Sequence, residues 1–244
     1  MLDIAADAIA GVDSATDWFR LGIAWARAMP LVTLVPAFGL RALPGPSRVV
    51  LGLAVAASYF PAIAPAGAHD HGPWVLQALA EAARGLPVAI AAAVPLWAAT
   101  MAGGVADALR GSRDTAASSV VEGTATPMGT PMSILASAIF LTTGGPARAA
   151  AALAFRPTPA NPFLAATADL LGGIAFAVAL AGPILAAAVV LEIAGALVAR
   201  AASPAQVHAL LAPLRALGVL AVTAIVFERI ATVLARAISS DAGP

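Results

Sequence analysis

Five stretches of this 244-residue chain run without a single Asp, Glu, Lys or Arg: Val49 to His69, Gly85 to Ala106, Gly123 to Ala147, Pro157 to Ala168 and Leu170 to Leu191. The longer ones reach the roughly 20 residues that a helix needs to cross a bilayer. Lipid offers a bare backbone no hydrogen bonds, so apolar stretches of this length read as helices, whose amides are satisfied internally. The apolar-out, polar-in alternation of a membrane barrel is absent. Charge is scarce throughout: 61% of residues are hydrophobic, 11% are charged and mean hydropathy is +0.92, against roughly 25% charged residues in a soluble domain.

The thirteen basic residues are all Arg, balanced by thirteen acidic ones. Arg keeps its proton when desolvated and grips carboxylates and carbonyls in a fixed fork, which suits buried pairing. A high-GC genome produces the same bias. No basic patch points to nucleic acid. The chain has no Cys, which removes disulfides, thiolate metal sites and thiol catalysis. Met1 to Asp17 carries four Asp and no basic residue, the reverse of a signal peptide's positive start, so no cleaved leader is expected.

Proline and glycine divide the chain into about six helical segments. Helix one is expected to start near Ser14 and run to about Phe38, kinked by Pro30 and Pro36; a turn over Gly39 to Ser47 follows. Helix two covers about Arg48 to Ile63. Helix three runs from about Trp74 to Leu109, interrupted at Gly85-Leu86-Pro87 and Pro95, as one tilted, kinked helix or two stacked pieces. Gly111 to Thr130 is the one sizeable polar segment. Helix four spans about Met132 to Phe155 with a weak point at Gly144-Gly145-Pro146. Helix five runs from about Phe163 to Ala201 with Pro183 inside, and helix six from Ser203-Pro204 to about Ile238. With short links and no internal repeat, residues 1–244 read as one all-α membrane domain. Breaks of this kind are tolerated in membranes where neighbouring helices satisfy the freed backbone groups, and small residues permit close helix approach. A subunit packed into a larger assembly fits this pattern.

Four carboxylates interrupt apolar segments: Asp107, Asp169, Glu192 and Glu228. An ionisable group at membrane depth is costly and pairs or faces a cavity. Asp17 with Arg20, Glu81 with Arg84 and Asp107 with Arg110 stand at i, i+3 spacing, on one helical face, and read as local pairs. Glu192 and Glu228 lack such partners, and interhelical pairing with Arg200, Arg215 or Arg229 is expected across the C-terminal hairpin. His69-Asp70-His71 has metal-ligand residue types without a third or fourth convergent ligand, and reads as a solvated loop. No His-Glu-x-x-His run, nucleophile elbow or phosphate-cradling loop occurs, so no enzyme activity, cofactor or metal is expected. The rival reading, a multi-pass secondary transporter for a small solute, requires paired halves with corresponding breaks.

From Arg27-Ala28-Met29-Pro30, Leu34 to Gly39 (containing Pro36), the Leu43-Pro44 turn and Pro61 to Pro65, through Glu81, Gly85, Ala102-Gly103-Gly104 and Arg110-Gly111, to Phe140-Leu141 and Gly144-Gly145, the chain resembles the SctT/YscT/FliR family of type III secretion and flagellar export proteins. The C-terminal match keeps Arg200, Pro213, Leu214 and Arg215 at the family's outer spacing. Inside it Ser203-Pro204, Gln206 and His208 replace the usual Pro-Gln, Asn and Phe, which suggests a divergent, secretion-type member.

The resemblance implies a structural subunit of the export gate in the bacterial inner membrane, multi-pass and raised partly toward the periplasm. Its helices would pack as hairpins in a larger assembly with SctR/FliP-like and SctS/FliQ-like subunits and meet a SctU/FlhB-like switch protein. Secreted proteins pass in transit and lipid surrounds it. The resemblance also implies that Gly111 to Thr130 is the loop that plugs the closed pore, with Ser118, Ser119, Glu122, Gly123, Thr124, Thr126, Pro127, Met128, Gly129 and Thr130 as candidate plug residues.

Overall fold

The first helix shows how proline sets the boundaries. In the computed structural model, which describes residues 15–38, 44–62, 73–111, 116–117, 124–157, 159–201 and 207–240, α1 spans Ala15–Leu34. It stops four residues short of the expected Phe38. Pro36 has no N–H with which to extend the ladder and disfavours helical geometry at Val35, so the chain tightens into a 3-10 turn, Pro36–Phe38. Pro30 lies inside α1 and is tolerated there. Helix α2, Gly45–Tyr59, begins three residues before the expected Arg48. Pro46 fits its first turn, where an N–H has no intrahelical partner in any case.

Helix α3, Trp74–Leu109, is one continuous 36-residue helix, not two stacked pieces. At ~1.5 Å per residue it is about 54 Å long, well beyond a hydrocarbon core of ~30 Å. Pro87 and Pro95 each remove one hydrogen bond, but α3 packs against α1, α4, α5, α6 and α7, and that packing holds the ladder together across both. Its buried face is a run of small residues, among them Ala89, Ala93, Ala99, Ala102 and Ala106, punctuated by Leu96. The resulting close approach of neighbouring helices forms the core.

Beyond α3, two-residue strands β1 (Ala116–Ala117) and β2 (Thr124–Ala125) pair antiparallel. The expected fourth helix is two: α4, Gly129–Thr142, and α5, Gly145–Phe155, bent by 65°. Gly144 sits at φ 76°, a left-handed conformation that ends α4, which raises the count of helices among the described residues from six to seven. Arg148 secures the corner by donating to the Thr143 carbonyl (2.8 Å) and to Ile238 O near the end of the last helix (3.1 Å).

Helix α6, Pro162–Ala201, carries Pro183 through its interior, and Asn161 Oδ1 caps its start by accepting from the amides of Phe163 and Leu164, both at 3.1 Å. Helix α7, Val207–Ser240, returns against it. Three helices, α3, α6 and α7, are long and apolar enough to cross a membrane, or four if the bent α4–α5 pair is one span. They differ in use. The most apolar window of α3 is 56% buried within the protein, while those of α6 and α7 are only 28% and 22% buried, leaving Leu171, Ile174, Val190, Leu197, Leu217 and Ile225 exposed.

Candidate functional site

The polar segment is held at its base by helix α3. Asp107, in the last turn of α3, is 2% exposed. One carboxylate oxygen takes Arg110, whose Nε and terminal nitrogen stand at 2.8 and 2.7 Å. The other accepts the backbone N–H of Met128 at 2.7 Å. The i, i+3 pair read from spacing is therefore also a tie between α3 and the chain entering α4. Gly103 and Gly129 bring the two backbones together: a Cβ on Gly103 would stand 2.6 Å from Met128 O and 2.7 Å from Gly129 Cα. Thr126 Oγ1 accepts the Gly129 amide at 3.0 Å, and the Thr130 amide donates to Thr126 O at 3.0 Å, so Thr126 holds the turn that leads into α4. Gly111, at φ 77°, turns the chain out of α3 at the other end.

Of the candidate plug residues, Thr126, Pro127, Met128, Gly129 and Thr130 form this anchored base. Thr124 pairs with Ala117 through the backbone. Ser118, Ser119, Glu122 and Gly123 lie outside the described residues, as do Gly39 and the His69-Asp70-His71 cluster.

A second polar cluster joins α1 to α3. Arg27 Nε donates to Glu81 Oε2 at 2.7 Å, its terminal nitrogen stands 2.5 Å from the same oxygen, and the other donates to Leu153 O of α5 at 3.2 Å. Arg84 takes the remaining oxygen of Glu81. Gly85 lets this happen: a Cβ there would run into the carbonyl of Arg27. Tyr59 adds a further cross-link, donating to Ala24 O at 2.6 Å, and burial pushes its hydroxyl well above the ordinary phenol range. The sequence marks Glu81 for Arg84 alone. Its pairing with Arg27, 54 positions away, has no local signal, although Arg27, Glu81 and Gly85 all stand among the residues that carry the family resemblance.

At the third site, Glu192 of α6 and Arg215 of α7 meet at 2.5 Å across the hairpin, with side chains 59% and 41% exposed. The remaining members of that expected group do not join them. Glu228 and Arg229 are exposed on α7 and Arg200 is exposed in the last turn of α6. None of the three forms an ion pair among the described residues. The carboxylates expected to be buried are thus open in the isolated chain, because the hairpin face that carries them has no neighbour among the described residues. Pro213 sits on the exposed side of α7.

These clusters tie helices together. Among the described residues no group of His, Cys, Asp and Glu is placed to hold a metal ion. A comparison with curated proteins gives no match. Residues 18–240 match the family described as bacterial export proteins, family 1, a range that takes in the anchored loop base, the Arg27–Glu81 cluster and the long hairpin. The chain therefore belongs to the bacterial export proteins of family 1, the SctT/YscT/FliR family, as an integral inner-membrane component of type III secretion or flagellar export.

Proposed function

We propose that this chain is a structural subunit of the type III export gate, lining and plugging the secretion pore. In this reading it assembles with SctR/FliP-like and SctS/FliQ-like subunits and meets a SctU/FlhB-like switch protein. The observation that carries the reading is the α6–α7 hairpin, whose large apolar side chains stand exposed beside an ion pair, Glu192–Arg215. Lipid alone accommodates the apolar face, but charges exposed within apolar helices are costly in lipid. A surrounding ring of protein helices covers both, with small residues such as Gly195 leaving room for close approach. The loop from Gly111 to Thr130 is the plug, and the tie from Asp107 to Met128 fixes where it leaves the wall.

Co-expression and copurification in mild detergent test the assembly. SctR-like and SctS-like chains are expected to come down with this one, whereas a monodisperse monomer that transports a small solute would end the gate reading. For the plug, deletion of Ser118 to Pro127 is expected to make membranes leaky to small ions. Because Thr126 holds the turn that leads into α4, removing residues 118–123 alone is the cleaner variant. Loss of assembly without leak in that shorter deletion would make the segment a packing element.

A further inference from the structure

We infer that a cavity of about 330 Å³ between α1, α3, α5 and the start of α6 binds a phosphate-bearing anion, the phosphodiester of an anionic phospholipid. Arg27, Arg84 and Arg156 converge on it, with Pro87, Leu153 and Ala165 completing the wall. Arg27 has each of its three nitrogens engaged, by Glu81 on one side and the Leu153 carbonyl on the other. Arg84 gives one terminal nitrogen to Glu81 and is otherwise nearly half exposed, leaving most of its five N–H donors open. Arg156 is exposed and makes no side-chain hydrogen bond or ion pair among the described residues.

The charge balance favours an anion. Glu81 is shared by two guanidinium groups, so one positive charge there is not neutralised. Arg156 adds another. Asp169, which lines the adjoining cavity together with Arg156, offsets part of it, leaving three guanidinium groups against two carboxylates. Open guanidinium forks match phosphate oxygens in geometry and bind them with charge-assisted hydrogen bonds.

The surroundings point to lipid as the source of the phosphate. Phe155 adjoins Arg156 in sequence, and Phe163 and Leu164 adjoin Ala165; all three are large apolar side chains more than 60% exposed. An anionic headgroup in the cavity would leave its acyl chains on this apolar rim, as basic pockets between membrane helices do with charged lipids. The site involves neither the loop nor the Glu192–Arg215 part of the α6–α7 hairpin, so it does not depend on the gate reading.

The test is lipid retention by the full chain in neutral detergent, counted by native mass spectrometry after addition of phosphatidylglycerol or phosphatidylcholine. Phosphatidylglycerol is expected to be retained at least tenfold better. Arg156→Gln and Arg84→Gln should each cut that preference about tenfold, the loss of charge-assisted bonds. Arg156→Lys should restore most of it and Arg236→Gln leave it unchanged. Asp169→Asn should raise it, an arm that needs no loss of binding to be read. If millimolar inorganic phosphate binds alone and displaces the lipid, the phosphate site stands with free phosphate as its ligand. Equal retention of the two lipids without phosphate binding, or an Arg156→Gln protein that folds and keeps full preference, overturns the proposal.

Discussion

Two adjacent glycines in α3 should respond in opposite directions to the same substitution. A methyl on Gly103 would stand 2.6 Å from Met128 O, 2.7 Å from Gly129 Cα and 2.8 Å from Gly129 N. All three are backbone atoms, which cannot rotate away, so α3 and the start of α4 must separate. Overpacking of this kind costs about 1–3 kcal/mol, offset by about 1 kcal/mol of helix propensity gained from Ala over Gly. A methyl on Gly104 meets only Thr126 Oγ1, at 3.9 Å, an ordinary contact, and keeps the propensity gain. At ~2–4 °C per kcal/mol for a chain of this size, Gly103→Ala should melt several degrees below wild type and Gly104→Ala a few degrees above it. Thermal unfolding in detergent measures both. Hydrogen exchange adds a local readout, since separation breaks the Met128 N–H bond to Asp107. The Met128 amide should lose protection in Gly103→Ala only. Equal melting temperatures for the two variants, or an undisturbed Met128 amide in Gly103→Ala, would refute the close-packed anchor.

Asp107→Asn keeps the shape but removes the charge facing Arg110, and should destabilise the chain by about 3 kcal/mol while raising ion leak in the reconstituted assembly, read as liposome dye release. Glu81→Gln leaves Arg27 facing a neutral amide at a site 10% exposed on the Glu81 side; about 2 kcal/mol should be lost after discounting for the partly solvated Arg84, seen as a lower melting temperature. Glu192→Gln, at an exposed pair, should shift the stability of the isolated chain by less than about 0.5 kcal/mol yet reduce the yield of assembled complex on size-exclusion chromatography. Gly144→Ala forces a side chain into left-handed geometry at the α4–α5 corner and should cost about 1–2 kcal/mol, measured by the same melts.

Local chemistry in the sequence carries most of the helix boundaries and the short-range pairs. Pro36, Pro44 and Gly144 mark real breaks because each alters what its own backbone can do. Asp107–Arg110 and Glu81–Arg84 follow from helical spacing alone. The same breaker logic overstates Pro87 and Pro95, since α3 is continuous through both: a helix surrounded by five others recovers in packing what it loses in one hydrogen bond per proline. What the sequence does not reveal is pairing across distance. Nothing near Glu81 names Arg27 as its partner, nothing near Asp107 names the Met128 amide, and the small size of Gly85 and Gly103 becomes meaningful only when the opposing backbone is in view. Glu192 illustrates the converse. Its match to Arg215 follows from two helices folding back on each other, but what covers its 59%-exposed side chain lies outside the chain.

The unequal burial of the long helices sets how this protein can evolve. Helix α3 and helix α6 are both long and apolar enough to cross a membrane, yet α3 is more than half enclosed by its own chain and α6 largely is not. Interiors are close-packed, so on the buried face of α3 even Ala→Val adds volume with nowhere to go. Exchanges among Leu, Ile, Val and Phe on the open face of α6 leave the monomer intact and are judged only by whatever covers that face. Substitutions in α3 should therefore be rare and solitary, whereas those in α6 should accumulate in step with changes in a neighbouring chain.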